Sequence, residues 1–353
     1  MMLNTQTAGW RTYVLNKQNY ILRDLQQHFS VDSIRHVAAD SWNAIFHARG
    51  KEMEYCVKIM NEDSFPVKWS IDEIDYIGNA LNEIRYAGFK YVLPAFKDEC
   101  GSYFLKLADY TALVFPWGAA FLVNGTDAPR IPVQAFVEQG AAVLSELHHH
   151  GCRVVNELGR RKTVWPRMFE PSMWLDEQKG IWTNAIEKMK GMDATDKQLR
   201  ILEQAWEKHK KIVKKYALFF APCIGEMTLL HGDYRPENIL FKEERIQKIF
   251  DYDFLRRGLP EEDVAYAALY CSGSGWFAGP RDWDIVMSFI QAYQNNARNK
   301  AYICLQAPLL EGALYWIIMR EIALIRYPED ILVRFHLLNE LNNNLERIWK
   351  GCL

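Results

Sequence analysis

The stretch HGDYRPENIL, residues 231–240, sets His231, Asp233, Arg235 and Asn238 within eight residues, with Pro236 among them, and runs directly into Ile239, Leu240 and Phe241. Polar groups this dense, followed at once by an apolar run, read as a loop entering a strand. Asp251 lies thirteen residues beyond Asn238, in a second apolar stretch, IQKIFDYDF (246–254), so a hairpin turning at 242–245 brings the three oxygen-bearing side chains to one end. A hard cation such as Mg²⁺ takes a few carboxylate or amide oxygens and keeps its other positions for phosphates and water. Asn238 and Asp251 therefore suit a metal, and Asp233 suits a base. Such a division of labour belongs to phosphoryl transfer, where protein groups chiefly position the nucleophile and neutralise developing charge.

Outward from this motif the chain changes character once. Residues 34–115 read mostly as strands: IRHVAA, NAIFHAR, MEYCVKIM, SYFLKLA and YTALVF, the second and third joined by a tight turn at Arg49-Gly50-Lys51. One helix interrupts them, with Ile74, Ile77, Leu81 and Ile84 on a single face and Gly88 as its stop. Phe115-Pro116-Trp117-Gly118 continues neither strand nor helix and reads as a linker. From Ile131 onward helices dominate, the charged residues 176–215 reading as long surface helices and Gly151 as a helix C-cap after His148, His149 and His150, whose expected roles are capping and solvent contact. The prediction is an α+β chain: a small antiparallel-sheet lobe with one helix over residues 1–115, led by a helix at about 10–29, and a larger, mostly helical lobe over 116–353.

Composition narrows the function. The 353 residues carry 42 Lys and Arg against 44 Asp and Glu, a net charge of −2, which implies neither nucleic acid nor an anionic membrane as partner. Seven cysteines, odd in number and without a C-x-x-C, fit reduced thiols better than bridges or zinc. The N-terminus has no apolar core of signal-peptide type, and the most apolar window (312–325) carries Arg320 and Glu321, so a cytoplasmic protein without a membrane span is expected.

His231-Gly232-Asp233 with Asn238, followed by Phe250-Asp251-Tyr252-Asp253, resembles the catalytic core of the aminoglycoside phosphotransferase and choline kinase-like superfamily, relatives of the protein kinases. Tyr110–Gly118 and the chain length are similar to its spore-coat kinase-like branch. The resemblance covers roughly residues 34–325. It implies a two-lobed protein-kinase-like fold acting with ATP and Mg²⁺, with Asp233 as catalytic base, Asn238 and Asp251 as magnesium ligands, His231 bracing the loop and Lys58 binding the nucleotide phosphates. Asp263 matches the family's buried aspartate that supports the catalytic loop. Alternation in YCVKIM agrees on Lys58, since Tyr55, Val57 and Ile59 share one strand face and leave Lys58 on the other with Cys56 and Met60. Its carboxylate partner is expected from the helix at 71–84, with Glu73 the choice. Adenine is expected at the linker, backed by Phe115 and bonded to the amide of Trp117 or Gly118, because Pro116 has no N–H.

Two positions depart from the pattern. The loop Ala39-Asp40-Ser41-Trp42-Asn43 has no glycine, so Ser41 and Asn43 with loop amides must stand in for a Gly-rich phosphate cradle. Arg235 stands where protein kinases carry lysine and could pair with the transferring phosphate. Asp253 is the alternative metal ligand if both aspartates share a strand face. Only twelve residues separate Asp251 from Asp263, too few for a peptide-docking segment, so the expected acceptor is a small hydroxyl compound. Glu261, Glu262, Asp282 and Asp284, interleaved with Trp276, Phe277 and Trp283, could form an acidic aromatic pocket for an amine-bearing one, although an ordinary solvated helix boundary is the favoured reading of them. The alternative is a catalytically silent kinase fold serving as a structural or regulatory partner, for instance in a spore coat.

Overall fold

The structure is a computed structural model that describes residues 10, 12–39, 43–61, 70–107, 110–117, 131–158, 171–220, 227–273, 279–297, 307–323 and 330–351. The chain divides into two compact units: Met1–Ile131 with Asn156–Trp165 and Ile239–Phe250, and Pro132–Val155 with Pro166–Asn238 and Asp251–Leu353. A single cut between 115 and 116 is simpler than this division, in which short later segments return to the first unit.

The first unit holds a five-stranded antiparallel sheet in the order β1-β2-β3-β5-β4, formed by β1 (Val31–Ala39), β2 (Asn43–Gly50), β3 (Glu54–Met60), β4 (Phe104–Leu107) and β5 (Tyr110–Pro116). Strand alternation sends Phe46, Tyr55, Val57, Ile59, Ala112 and Val114 to one face, where Ile21 and Leu25 of α1 (Gln18–His28) and Val14 cover them. Each such large side chain contributes roughly 1.5–3 kcal/mol by its removal from water. Helix α2 (Ile71–Tyr86) lies on the opposite face. There Gly78 comes so close to the sheet that a Cβ would sit 2.3 Å from the Cβ of Tyr103 and 3.4 Å from Leu113 Cδ2. A glycine in mid-helix costs about 1 kcal/mol in propensity, which this close approach explains.

The hairpin after the quoted motif also belongs to the first unit. It consists of β7 (Ile239–Lys242) and β8 (Arg245–Ile249), and Ile249 donates its N–H to Tyr91 O at 2.9 Å while Lys248 Nζ reaches Lys90 O at 2.7 Å. This corrects the expectation of a hairpin inside the helical lobe. The second strand also stops at Ile249 rather than running to 254, so Asp251 and Asp253 do not share a strand face. Asp251 takes up left-handed backbone and Asp253 sits in the short 3₁₀ turn Tyr252–Phe254.

The second unit is built from helices. Val133–Ala135 leads through a π turn at Phe136–Gly140 into α3 (Ala141–Val154), followed by α4 (Pro171–Lys190), α5 (Asp196–Phe220), α6 (Pro260–Cys271), α7 (Trp283–Asn296), α8 (Ala307–Ala323) and α9 (Asp330–Gly351). A pair of three-residue strands, β6 (Thr228–Leu230) and β9 (Arg256–Gly258), was not anticipated, being too short to show a period of two. Gly151 does not cap α3, which continues to Val154. Its missing side chain lets β6 approach, because a Cβ there would lie 2.5 Å from Thr228 Oγ1 and 2.8 Å from the N of Leu229. Among the described residues no helix is long and apolar enough to cross a membrane.

Candidate active site

β6 ends at Leu230, and the chain then turns under the control of one carboxylate. The N–H of His231 donates to Asp263 Oδ2 at 2.6 Å and that of Gly232 to Asp263 Oδ1 at 2.8 Å. Gly232 has φ +83°, and a Cβ would fall 2.4 Å from Phe254 O and 2.6 Å from Arg256 Nη1, so backbone and space both demand glycine. His231, wholly buried, accepts the N–H of Asp233 at Nδ1 (3.2 Å) and lays its ring 4.5 Å from that of Tyr252. These contacts tie His231 to the loop backbone and to Tyr252.

Asp263 stands in the first turn of α6 and is itself held. His148 of α3 sets Nε2 at 3.2 Å from Asp263 Oδ2 and Nδ1 at 2.7 Å from the hydroxyl of Tyr293 on α7. Burial alone would raise the Asp263 carboxyl, but His148, His231 and Arg256 outweigh it and hold it below the ordinary carboxylate value. Capping and solvent contact are thus wrong for His148, which is fully buried. The helix face that carries it points inward, onto α7 and the loop.

The loop delivers Asp233, 7% exposed, into a set of polar neighbours. Asn238 Nδ2 donates to Asp233 O at 2.8 Å and to Asp233 Oδ2 at 3.0 Å, after the 3₁₀ turn Pro236–Asn238. Arg235 Nε lies 3.1 Å from the same Oδ2, and its Nη1 donates to the hydroxyl of Tyr270 at 3.2 Å, with the guanidinium 5.5 Å from that ring's centre. The hydroxyl of Tyr266 donates to Asp233 Oδ1 at 2.5 Å. Burial pushes the Asp233 carboxyl above its ordinary value and Asp251 adds to this, while Arg235 and Tyr266 oppose it.

Asp251 adopts φ 59°, ψ 53°, a left-handed conformation that costs a non-glycine residue roughly 1–2 kcal/mol and that Asp tolerates better than most. Such strain is typical of functional positions. The donor chemistry fits a magnesium ion: Asn238 commits its amide nitrogen to Asp233, which leaves a neutral amide oxygen that could serve as a ligand, and Asp251 is a second carboxylate whose charge acts on Asp233. Among the described residues no three His, Cys, Asp or Glu side chains gather into a group that could hold a metal ion.

In the first unit, Lys58 lies on the central strand β3 between Ile45 and Leu113 and is 7% exposed, which rules out a solvated edge lysine. It occupies the face covered by α2. Glu73 of α2, 5% exposed, closes a capping box, accepting the N–H of Ser70 at Oε2 (3.4 Å) while its own N–H donates to Ser70 Oγ (3.2 Å). The S-I-D-E spelling of residues 70–73 carries that signal. Asn43 opens β2 opposite Met60, and Phe115 pairs with Cys56. Trp117 departs from its expected role: its N–H donates to Glu54 O at 2.8 Å, extending the ladder, and its indole stacks on His47 at 4.0 Å. Gly118, the other amide expected to meet adenine, lies with Ser41 outside the described residues.

The described acidic residues of the proposed pocket are engaged elsewhere. Glu262 is buried against Arg256 (2.7 Å), Glu261 is buried in α6, Asp282 caps α7 through the N–H groups of Asp284 and Ile285, and the exposed Asp284 pairs with Arg347. Trp283 donates to Glu340 at 3.4 Å, and Trp276 and Phe277 lie outside the described residues. What sequence reasoning missed is Tyr266 and Tyr270. They follow Asp263 at i+3 and i+7, one helical face, and that spacing was open to view in EDVAYAALY.

The model of the phosphotransferase enzyme family (APH) matches residues 49–299. Among solved structures, the chain is similar to a microcompartment-associated aminopropanol kinase (TM-score 0.62, 16% identity, 94% of this chain and 97% of that one). It is also similar to an amicoumacin kinase in complex with AMP-PNP, Ca²⁺ and its ligand (0.59, 12%, 95% and 92%). A third is a spectinomycin phosphotransferase in complex with ADP and spectinomycin (0.55, 14%, 95% and 98%). No curated protein sequence matches.

Proposed function

The chain belongs to the phosphotransferase enzyme family, and we propose that it transfers the γ-phosphoryl group of ATP, with Mg²⁺, to a hydroxyl group of a small molecule. The observation that carries this reading is the Asp233 carboxylate, buried and oriented by Asn238 and Arg235 with Asp251 close by. A base so fixed can take the proton of an attacking hydroxyl as the new P–O bond forms. Asp263 and His231 hold the loop that presents it. Arg235, already beside Asp233, keeps a positive charge where the transferring group's charge would be met.

Asn238 Oδ1 and Asp251 would hold the Mg²⁺, whose contribution is to neutralise and orient the phosphates. Lys58 would bind the phosphates with Glu73 as its carboxylate partner, Ser41 and Asn43 would serve the phosphate loop, and Phe115, Trp117 and Gly118 would border the adenine. In this reading residues 1–115 form the nucleotide-binding lobe and 116–353 the catalytic lobe, in a cytoplasmic enzyme without nucleic-acid or membrane partners. A small acceptor is favoured because the chain runs from Asp251 through one 3₁₀ turn and β9 straight into α6, with no segment on which a peptide could dock. The similar structures with ADP, or with AMP-PNP and Ca²⁺, support a nucleotide and a divalent ion, and the aminopropanol kinase supports an amine-bearing hydroxyl compound as one acceptor class.

Thermal unfolding with ATP, with and without Mg²⁺, tests the reading. A ligand that binds only the folded state raises Tm, by the equivalent of about 2.7 kcal/mol at a hundred times Kd. Wild type should show a magnesium-dependent rise that Asp251→Ala removes and Asp253→Ala keeps. No rise in wild type would contradict the reading.

A further inference from the structure

Both oxygens of Asp233 are already engaged. Oδ2 accepts from Asn238 Nδ2 (3.0 Å) and faces Arg235 Nε (3.1 Å), while Oδ1 accepts the hydroxyl of Tyr266 at 2.5 Å. The bonds at Oδ2 come from the loop itself and fix the carboxylate's orientation. The bond at Oδ1 is of another kind, because an O–H donor on a base carboxylate is what an acceptor alcohol must also be.

We propose that Tyr266 is a specificity-determining residue that occupies Oδ1 as an internal stand-in for the acceptor hydroxyl and so keeps water from being activated by Asp233. This rests on the phosphotransferase reading above. Tyr266 is almost wholly buried, and its ring stacks on Tyr270 at 5.8 Å, whose hydroxyl accepts from Arg235, so the plug is held from the side. Its helix is fixed at the other end by Asp263, three residues earlier, through the bonds to His231 and Gly232. A water molecule brings one weak competing hydrogen bond to Oδ1 and no further binding energy. An acceptor bound through the rest of its surface can supply what displacing the tyrosine hydroxyl requires. Tyr266 thus acts through Asp233, by occupying the oxygen that would take the proton, and is assigned no contact with the substrate.

The suppressed step is hydrolysis of ATP. The oxygen of water bonds to the γ-phosphorus, its proton passes to Asp233 Oδ1 and later to solvent, and the bond from the γ-phosphorus to the β,γ-bridging oxygen breaks, leaving ADP and inorganic phosphate.

The experiment measures phosphate release from MgATP, without any added acceptor, in wild type, Tyr266→Phe, Asp233→Asn and the double variant. Removing the hydroxyl while keeping the ring should raise hydrolysis at least about tenfold, the factor a hydrogen bond to a charged group is worth, and Asp233→Asn should abolish the gain. A role confined to packing would leave hydrolysis unchanged in Tyr266→Phe, which keeps the ring against Tyr270 and loses only the hydroxyl. If Tyr266→Phe does not fold, Tyr266→Met lacks the hydroxyl equally and gives the same reading. Equal or slower hydrolysis in the hydroxyl-free variant overturns the inference. If hydrolysis in wild type depends on Asp233 yet does not rise, only the inference falls. If hydrolysis is indifferent to Asp233→Asn throughout, the role of Asp233 in the proposed function falls with it.

Discussion

His148 and Asp263, 115 residues apart in the sequence, meet at 3.2 Å in the interior of the helical unit, and through Asp263 the histidine reaches the two backbone N–H groups that turn the loop before Asp233. Three helices are joined here, since Tyr293 closes the far side of the imidazole at 2.7 Å.

His148→Leu leaves a buried carboxylate and a buried hydroxyl each short of a partner, and should lower stability by roughly 1.5–3 kcal/mol, the range for hydrogen bonds to charged groups. Urea unfolding monitored by tryptophan fluorescence checks this. A midpoint unchanged from wild type would show that the bridge contributes nothing.

Gly232→Ala is the sharper test of the loop. The methyl group would meet Phe254 O at 2.4 Å on a backbone with φ +83°, so the chain must move. We expect a loss of at least about 1–2 kcal/mol together with a larger loss of turnover than of nucleotide affinity, read from steady-state rates and from the ATP-induced shift in Tm.

A pH dependence follows from His209. Trp182 and Trp206 flank its ring at 6.3 and 5.6 Å, and burial pushes its pKa down to about 3. In the unfolded chain it returns to about 6.5. Between those values the unfolded state binds a proton that the folded state refuses, so stability is fully present above about pH 6.5 and is lost as pH falls, by about 2 kcal/mol at pH 5. His209→Phe should flatten this part of the stability–pH curve, as denaturant midpoints at pH 7 and pH 5 would reveal. Equal slopes in the two proteins would contradict it.

Much of this was legible in the sequence, for identifiable reasons. The five strands and α2 follow from clean alternation and a clean helical face. Asp233, Asn238 and Asp251 stand out because a loop rich in polar groups abuts an apolar strand. Lys58 could be placed on the face of β3 opposite Tyr55, Val57 and Ile59 because a period of two leaves one choice. Other features needed three dimensions. β6 and β9 are too short to carry a period, and Asp251 leaves the strand because its backbone turns left-handed, which a strand pattern cannot announce. His148 read as a solvated cap because its inward face is set by α7, 145 residues from it at Tyr293. Of the two amides expected at the adenine, Trp117 or Gly118, that of Trp117 bonds Glu54 O, a partner set by how far the ladder extends. Glu262 and Asp282 looked like an acidic lining and are instead spent on Arg256 and on a helix cap, a distinction that charge alone cannot make.

The central claim is that Asp233 serves phosphoryl transfer to a small hydroxyl compound, and the most direct measurement is ADP production from MgATP across a panel of small alcohols, amino alcohols and aminoglycosides, in wild type and Asp233→Asn. The account predicts that at least one acceptor stimulates wild type and that Asp233→Asn lowers that stimulated rate by at least about 10²-fold, as loss of a general base does, while retaining the ATP-induced rise in Tm. An acceptor-stimulated rate in Asp233→Asn equal to that of wild type would contradict it.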